Sequence, residues 1–218
     1  TGAAPAYLAL GVILEGGFAS ATRRRIGADI AAAAEEGGVS IVTGDTKVVP
    51  RGCGDGIYIN TAGVGTMLAG AEIAPTNITA DMDIIVSGML CDQAATVMAA
   101  RHGLTLPPEI QSDCAPLCHL TAAMIAAAGD GIAVLRDPTR GGAAASLNEL
   151  AGAAGVGVLL EEDDIPVRPA VQGVCEMLGF DPLTLANEGK LLAFVRPEVT
   201  TRVLDVMHEN PYGREACV

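Results

Sequence analysis

The chain has 218 residues, half of them hydrophobic and 18% charged, a balance that fits a packed globular protein and excludes a disordered one. Acidic residues outnumber basic ones by 26 to 13, for a formal net charge of −13, so the basic footprint of a nucleic-acid binder is missing. Aromatics make up 3% with no Trp, which leaves Ala, Val, Ile and Leu to fill the core; the length permits one large domain or two small ones.

Residues 6–14 form a short apolar run. The stretch 21–36 sets Ile26, Ile30 and Ala33 or Ala34 on one helical face and stops at Gly37-Gly38. Within it, Arg23-Arg24-Arg25 is the one basic cluster and reads as a solvated face. Residues 39–42 read as a buried strand, Gly44-Asp45-Thr46-Lys47 as a polar elbow, and Val48-Val49 resume the apolar pattern until Pro50. A loop rich in Gly and charge precedes a strand at 57–61. Periodicity is lost over 66–81, and a domain boundary is expected near Asp81, dividing 1–80 from 81–218. Beyond it, strands are expected over 84–86, 132–135, 156–160 and 191–195. Helices are expected near 92–102 and 117–128, from the end of the loop 136–142 to about Ala154, from Pro169 to Leu178, and from Pro197 to near Asn210. Such alternation predicts an α/β (α+β layered) fold. No apolar run nears the roughly 20 residues of a membrane span, and no leader is recognisable, so a soluble intracellular protein is expected, without its natural N-terminus because Thr1 is not a start methionine. The cysteines Cys53, Cys91, Cys114, Cys118, Cys175 and Cys217 are irregularly spaced and read as reduced thiols. Cys114 and Cys118 beside His119 lack a second ligand pair, so no zinc site is expected.

Polar insertions that packing does not require mark the candidate chemistry. In Gly44-Asp45-Thr46-Lys47 a glycine permits a sharp turn, Asp45 suits a divalent metal and Lys47 suits phosphate charge. Its plain alternative is an ordinary polar turn. Asp137-Pro138-Thr139-Arg140-Gly141-Gly142 lies between a strand and a helix; exposed backbone N–H groups and the helix dipole favour an anion there, and Arg140 adds a forked donor. The alternative is a tight turn with a surface Arg, and the loop matches neither a Walker A nor a dinucleotide fingerprint. In Asn187-Glu188-Gly189-Lys190, Glu188 suits a general base or a metal ligand; the alternative is a turn with a solvated Glu–Lys pair. The set suits ATP chemistry, where positioning and charge neutralisation dominate, and names no substrate.

The strings are more specific than their physics. The stretch 41–65 (IVTGDTKVVPRGCGDGIYINTAGVG), with SDCAPL (112–117), RDPTRGGAAASLNEL (136–150), IPVRPAV (165–171), CEMLGFDPL (175–183) and ANEGKL (186–191), resembles the HypE family, carbamoyl dehydratases of nickel–iron hydrogenase maturation in the aminoimidazole ribonucleotide synthetase-like superfamily. The resemblance implies a two-domain architecture with an incomplete N-terminal domain, a homodimer, and ATP with Mg2+ in a cleft lined by both domains. It implies dehydration of a protein C-terminal S-carbamoyl-cysteine to thiocyanate, the source of iron-bound cyanide, in the cytoplasm. Partners would be the carbamoyl transferase and the iron–cyanide scaffold complex, with no nucleic acid and no membrane. By position, Asp45 would bind magnesium–ATP beside Gly44 and Thr46, Lys47 would sit at the reacting end, Glu188 would assist deprotonation of the carbamoyl nitrogen, and Arg140, Gly141 and Gly142 would shape the nucleotide-facing loop. The family's N-terminal glycine-rich segment, its acidic ATP-binding motif and its C-terminal tail have no counterpart, so the chain is expected to be a piece unable to complete the reaction. Cys217, followed by Val218, is not expected to be the carrier thiol and reads as the entry to a further strand. Where the family has a GDHG-like turn, this chain has Cys91-Asp92-Gln93-Ala94. The competing readings are another ATP-dependent synthetase or kinase of the superfamily, and a catalytically silent dimeric scaffold for maturation partners.

Overall fold

The computed structural model describes residues 2–218. The chain divides into two compact units, Ala3–Met67 and Leu68–Val218, with Gly2 joining the latter. The division falls ahead of the boundary near Asp81 that lost periodicity suggests. Segment 68–82 carries little regular structure, yet Ile78 is buried in the larger unit's core, Ile73 packs against it, and Ala74 N–H donates to Ala133 O at 3.0 Å.

The smaller unit is a three-stranded sheet in the order β2-β1-β3 with one helix. β1 (Ala3–Glu15) is central, followed by α1 (Ser20–Glu36), β2 (Ser40–Val49) and β3 (Ile57–Met67). β1 pairs parallel with β2 and antiparallel with β3. Two expectations change here. β3 extends past residue 61 to Met67, because β1 supplies pairing partners from Ala3↔Met67 to Leu14↔Ile57 and the ladder carries Gly63 and Gly65 along. The polar elbow at 44–47 is not an elbow: it lies within β2, in register with Leu10 to Ile13. Gly44 is required because a Cβ there would lie 2.8 Å from Leu10 O.

The larger unit is built on a second three-stranded sheet, β4 (Asp83–Val86), β6 (Leu192–Val195) and β5 (Ile132–Arg136), in that order and antiparallel throughout. Its helices are α2 (Asp92–His102), α3 (Cys118–Ala128), α4 (Gly142–Ala154), α5 (Pro169–Leu178) and α6 (Pro197–Glu209). Successive strand residues point to opposite faces. Ile85, Ala193 and Val195 therefore enter one core, with Leu120, Met124, Val199, Val203 and Met207 from α3 and α6. Val86, Leu192 and Phe194 enter the other, with Ala95, Leu147, Leu150, Val171 and Cys175 from α2, α4 and α5. Burial on both faces explains why these strands are apolar apart from Asp83 and Arg136 at their ends, rather than alternating. Pro169 and Pro197 open α5 and α6 at positions whose N–H needs no helical partner. The strand expected at 156–160 is not formed: among the described residues this segment joins no ladder. Its apolar residues instead line a groove of about 380 Å³ beside β4. Cys217, half-buried, exchanges backbone hydrogen bonds with Val86 as an isolated antiparallel bridge, in keeping with the strand-like reading of that segment.

Candidate functional site

In the smaller unit the polar residues follow the strand's period of two. Asp45 and Lys47 share one face of β2 and Gly44 and Thr46 the other. All are exposed, and Asp45 Oδ1 accepts the Thr46 N–H at 2.8 Å. The neighbouring loop is fixed by Glu15, whose carboxylate accepts the N–H groups of Gly52 and, at 3.0 Å, Gly56. The Gly52 bond, then the Gly56 bond, hold the Glu15 carboxyl below its ordinary range.

In the larger unit, loops meet at one end of the sheet. The segment leaving β5 carries buried Pro138 and exposed Arg140, then Gly141 and Gly142, both at positive φ, 76° and 65°. A Cβ on Gly142 would overlap Leu183 O and lie 2.6 Å from Leu185 O, so only glycine allows α4 to begin this close to the segment that precedes β6. That segment carries Glu188, exposed between buried Asn187 and buried Gly189. A Cβ on Gly189 would overlap Asp113 O. Lys190 Nζ lies 2.6 Å from Asp113 Oδ2, both side chains only 12% exposed, an ion pair outside directed hydrogen-bond geometry. The plain alternative of a solvated Glu–Lys pair is thereby corrected: Lys190 is held by Asp113 and Glu188 stands apart.

The departing loop at 91–94 has a structural account. Cys91 has φ 72° and no exposure, the left-handed conformation that favours glycine. Its N–H donates to Asn187 Oδ1 at 2.7 Å and its thiol to Pro182 O at 2.9 Å. Burial, reinforced by Cys175, pushes the Cys91 thiol up to about 12, so it stays protonated as that donor. Next to it, Asp92 is buried at the start of α2 and pairs with Arg168 at 3.0 Å; Arg168 also reaches Glu215 at 2.6 Å. Burial pushes the Asp92 carboxyl up despite the opposing Arg168 guanidinium, and Asp92 Oδ1 accepts no hydrogen bond among the described residues.

Arg140, Gly141, Gly142 and Glu188 thus belong to one connected set of loops, linked through Asn187 and Gly142; Gly44, Asp45, Thr46 and Lys47 lie on β2 of the other unit. Sequence reasoning missed Asn187, Asp113 and Cys91 as the parts that hold the Glu188 turn. The available signal was the polar insertion Asn187-Glu188-Gly189-Lys190 directly ahead of a buried apolar strand.

A two-layered-core α/β unit with glycine-rich loops at one sheet end defines a class. The family described as AIR synthase related protein, C-terminal domain, matches residues 80–218, and the chain is a member of that class. Carbamoyl dehydratase HypE of Rhodobacter capsulatus is 50% identical over 217 residues, 100% of this chain and 64% of that protein. A chain in the crystal structure of a HypE–HypF complex superposes with a TM-score of 0.94 at 40% identity, over 99% of this chain and 70% of that one. Hydrogenase maturation protein HypE in complex with ATP gives 0.95 at 42% identity, over 99% and 64%. Within its class, the chain belongs to the HypE family. It spans less than two thirds of the Rhodobacter protein's length.

Proposed function

We propose that the protein carrying this chain uses ATP to dehydrate a protein C-terminal S-carbamoyl-cysteine to a thiocyanate, supplying cyanide for nickel–iron hydrogenase, in the cytoplasm. The carbamoyl oxygen takes the γ-phosphoryl group, the nitrogen gives up its protons, and the oxygen leaves as phosphate with the C≡N bond formed. The observation that carries the reading is Glu188: an exposed carboxylate between two buried residues, on a turn held at Pro138 and Asp113 just after the segment, 183–185, that packs against α4's glycine-rich start. A carboxylate so presented suits removal of a proton from the carbamoyl nitrogen. Membership in the HypE family, with a relative known in complex with ATP, supports the nucleotide.

In this reading Asp45, with Gly44 and Thr46, holds magnesium–ATP, Lys47 neutralises charge at the transferring phosphoryl group, and Arg140, Gly141 and Gly142 shape the nucleotide-facing loop. No group of three or more His, Cys, Asp or Glu side chains among the described residues forms a metal cluster. The donor set at Asp45 fits Mg2+ carried by phosphates and steadied by one carboxylate, the usual habit of that ion. Bound there, it would supply neutralisation of phosphate charge. The protein acts as a homodimer, with the carbamoyl transferase and the iron–cyanide scaffold complex as partners; a HypE–HypF complex among its relatives supports partnership within maturation.

In the gene product containing this chain, Glu188→Gln is expected to lower ATP-dependent thiocyanate formation on the order of 10²- to 10⁴-fold while calorimetry still registers magnesium–ATP. Asp45→Asn is expected to lose that heat. Wild-type turnover in Glu188→Gln would remove the base from the reading, phosphorylation of a free small molecule would favour a kinase, and no heat with the wild type would favour a scaffold.

A further inference from the structure

Asn187 is among the buried polar residues that the proposed chemistry leaves unassigned. Asn187 is 1% exposed, yet its side chain is fully bonded. Oδ1 accepts the Cys91 N–H at 2.7 Å, and Nδ2 donates to Leu185 O at 3.0 Å and to Pro138 O at 3.4 Å. Its backbone N–H donates to the same Pro138 O at 3.0 Å. A buried amide is tolerated only when its donors and acceptor are all met, and such a set is directional where an apolar side chain would merely fill space. These bonds tie together segments far apart in the sequence: Cys91 at the start of α2, Pro138 ahead of α4, and Leu185 ahead of β6.

The neighbouring residues make this more than a core bond. After Asn187 comes exposed Glu188, then Gly189 packed on Asp113 O, then Lys190 paired with Asp113. The backbone is therefore fixed immediately before and immediately after Glu188, and only the Glu188 side chain is left to rotate. Asn187 supplies the fixing on the N-terminal side.

We infer that Asn187 is a positioning residue for the reaction, a buried clamp that sets the placement of Glu188 from behind. The inference rests on the reading of Glu188 as the base. A displaced base loses rate without losing ligand, because alignment rather than affinity is what the clamp supplies.

The test is Asn187→Asp, Glu188→Gln and the double variant in the gene product that contains this chain. Asp at 187 keeps an acceptor for Cys91 N–H but, ionised, cannot donate to Pro138 O or Leu185 O. N187D is expected to lower kcat on the order of 10- to 100-fold, with KM for magnesium–ATP within about threefold of wild type. Burial raises the pKa of a carboxyl, so the ratio of N187D to wild-type kcat is expected to climb toward one as pH falls, when the protonated carboxyl regains a donor. In the Glu188→Gln background N187D is expected to change kcat by less than about twofold, since a base already removed cannot be misplaced. An impaired Glu188→Gln with a full, multiplicative N187D loss on top overturns the inference and leaves the base intact. A fully active Glu188→Gln overturns both. Should N187D fail to fold, hydrogen exchange on the wild type decides: a clamp requires the Cys91 amide to be as protected as those of β6, and exchange at the rate of an open loop overturns it.

Discussion

Cys91 combines a left-handed backbone, complete burial and a thiol pushed up to about 12. It is therefore chemically silent in the fold, whereas Cys53 and Cys114 are exposed. Brief alkylation near neutral pH, read by mass spectrometry, is expected to label Cys53 and Cys114 and to spare Cys91 and Cys175 until denaturant is added; early labelling of Cys91 would contradict its burial. The same burial has a pH consequence. Between the ordinary thiol value of 9.0 and about 12 the unfolded chain releases the Cys91 proton and the folded chain keeps it. The folded state then binds more protons, so this group's contribution to stability is full below 9.0 and falls as pH rises through that window. Urea unfolding at alkaline pH is expected to show this loss, and Cys91→Ser, which has no titrating thiol, to flatten it. Gly142 is the second residue-scale case. Alanine there meets φ 65° and two backbone carbonyl oxygens, and G142A is expected to destabilise by about 2–4 kcal/mol in urea unfolding.

Among elements, α3 and α6 carry the clearest division between core and surface. Leu120 on α3 has no exposure, and Val203 and Met207 on α6 face the same core. Leu120→Ala is expected to destabilise by about 2–5 kcal/mol through lost transfer and a residual cavity. Leu159 lies in the unpaired 156–160 segment at 85% exposure. Its replacement by Ala is expected to change stability by less than about 0.5 kcal/mol. A thermal melt of both variants checks the contrast. The helices of the larger unit were legible because apolar spacing, and for α5 and α6 the prolines at 169 and 197, are local signals. The 156–160 strand was misread for the complementary reason: an apolar run is compatible with a strand, and a ladder needs a neighbour that local pattern cannot name.

At the scale of the molecule, the smaller unit leaves Tyr7, Val42, Val48, Tyr58, Val64 and Met67 exposed. These side chains lie on both faces of the sheet, Tyr58 in register with Ile13 and Val48 with the next residue, Leu14, and the homodimer proposed above would cover part of them. Sedimentation of the wild type is expected to give a dimer and of Val42→Lys with Val64→Lys a monomer; a wild type monomeric at micromolar concentration would argue against it. No helix among the described residues is long and apolar enough to cross a membrane.

The sequence by itself determined the composition of the fold, the helices and three of the four strands expected in the larger unit, and the glycine-bearing motifs at 141–142 and 188–190. Each depends on periodicity or on a backbone requirement expressed within a few residues. Tertiary structure decided the rest. β2 runs straight through Gly44–Lys47 because β1, more than thirty residues earlier in the chain, supplies its ladder. Glu188 is presented by a turn whose holds lie at Cys91, Asp113 and Pro138, the first of them 96 residues away from Asn187. A residue's own chemistry is written beside it in the chain, but the partners that fix its position are brought in only when distant segments pack.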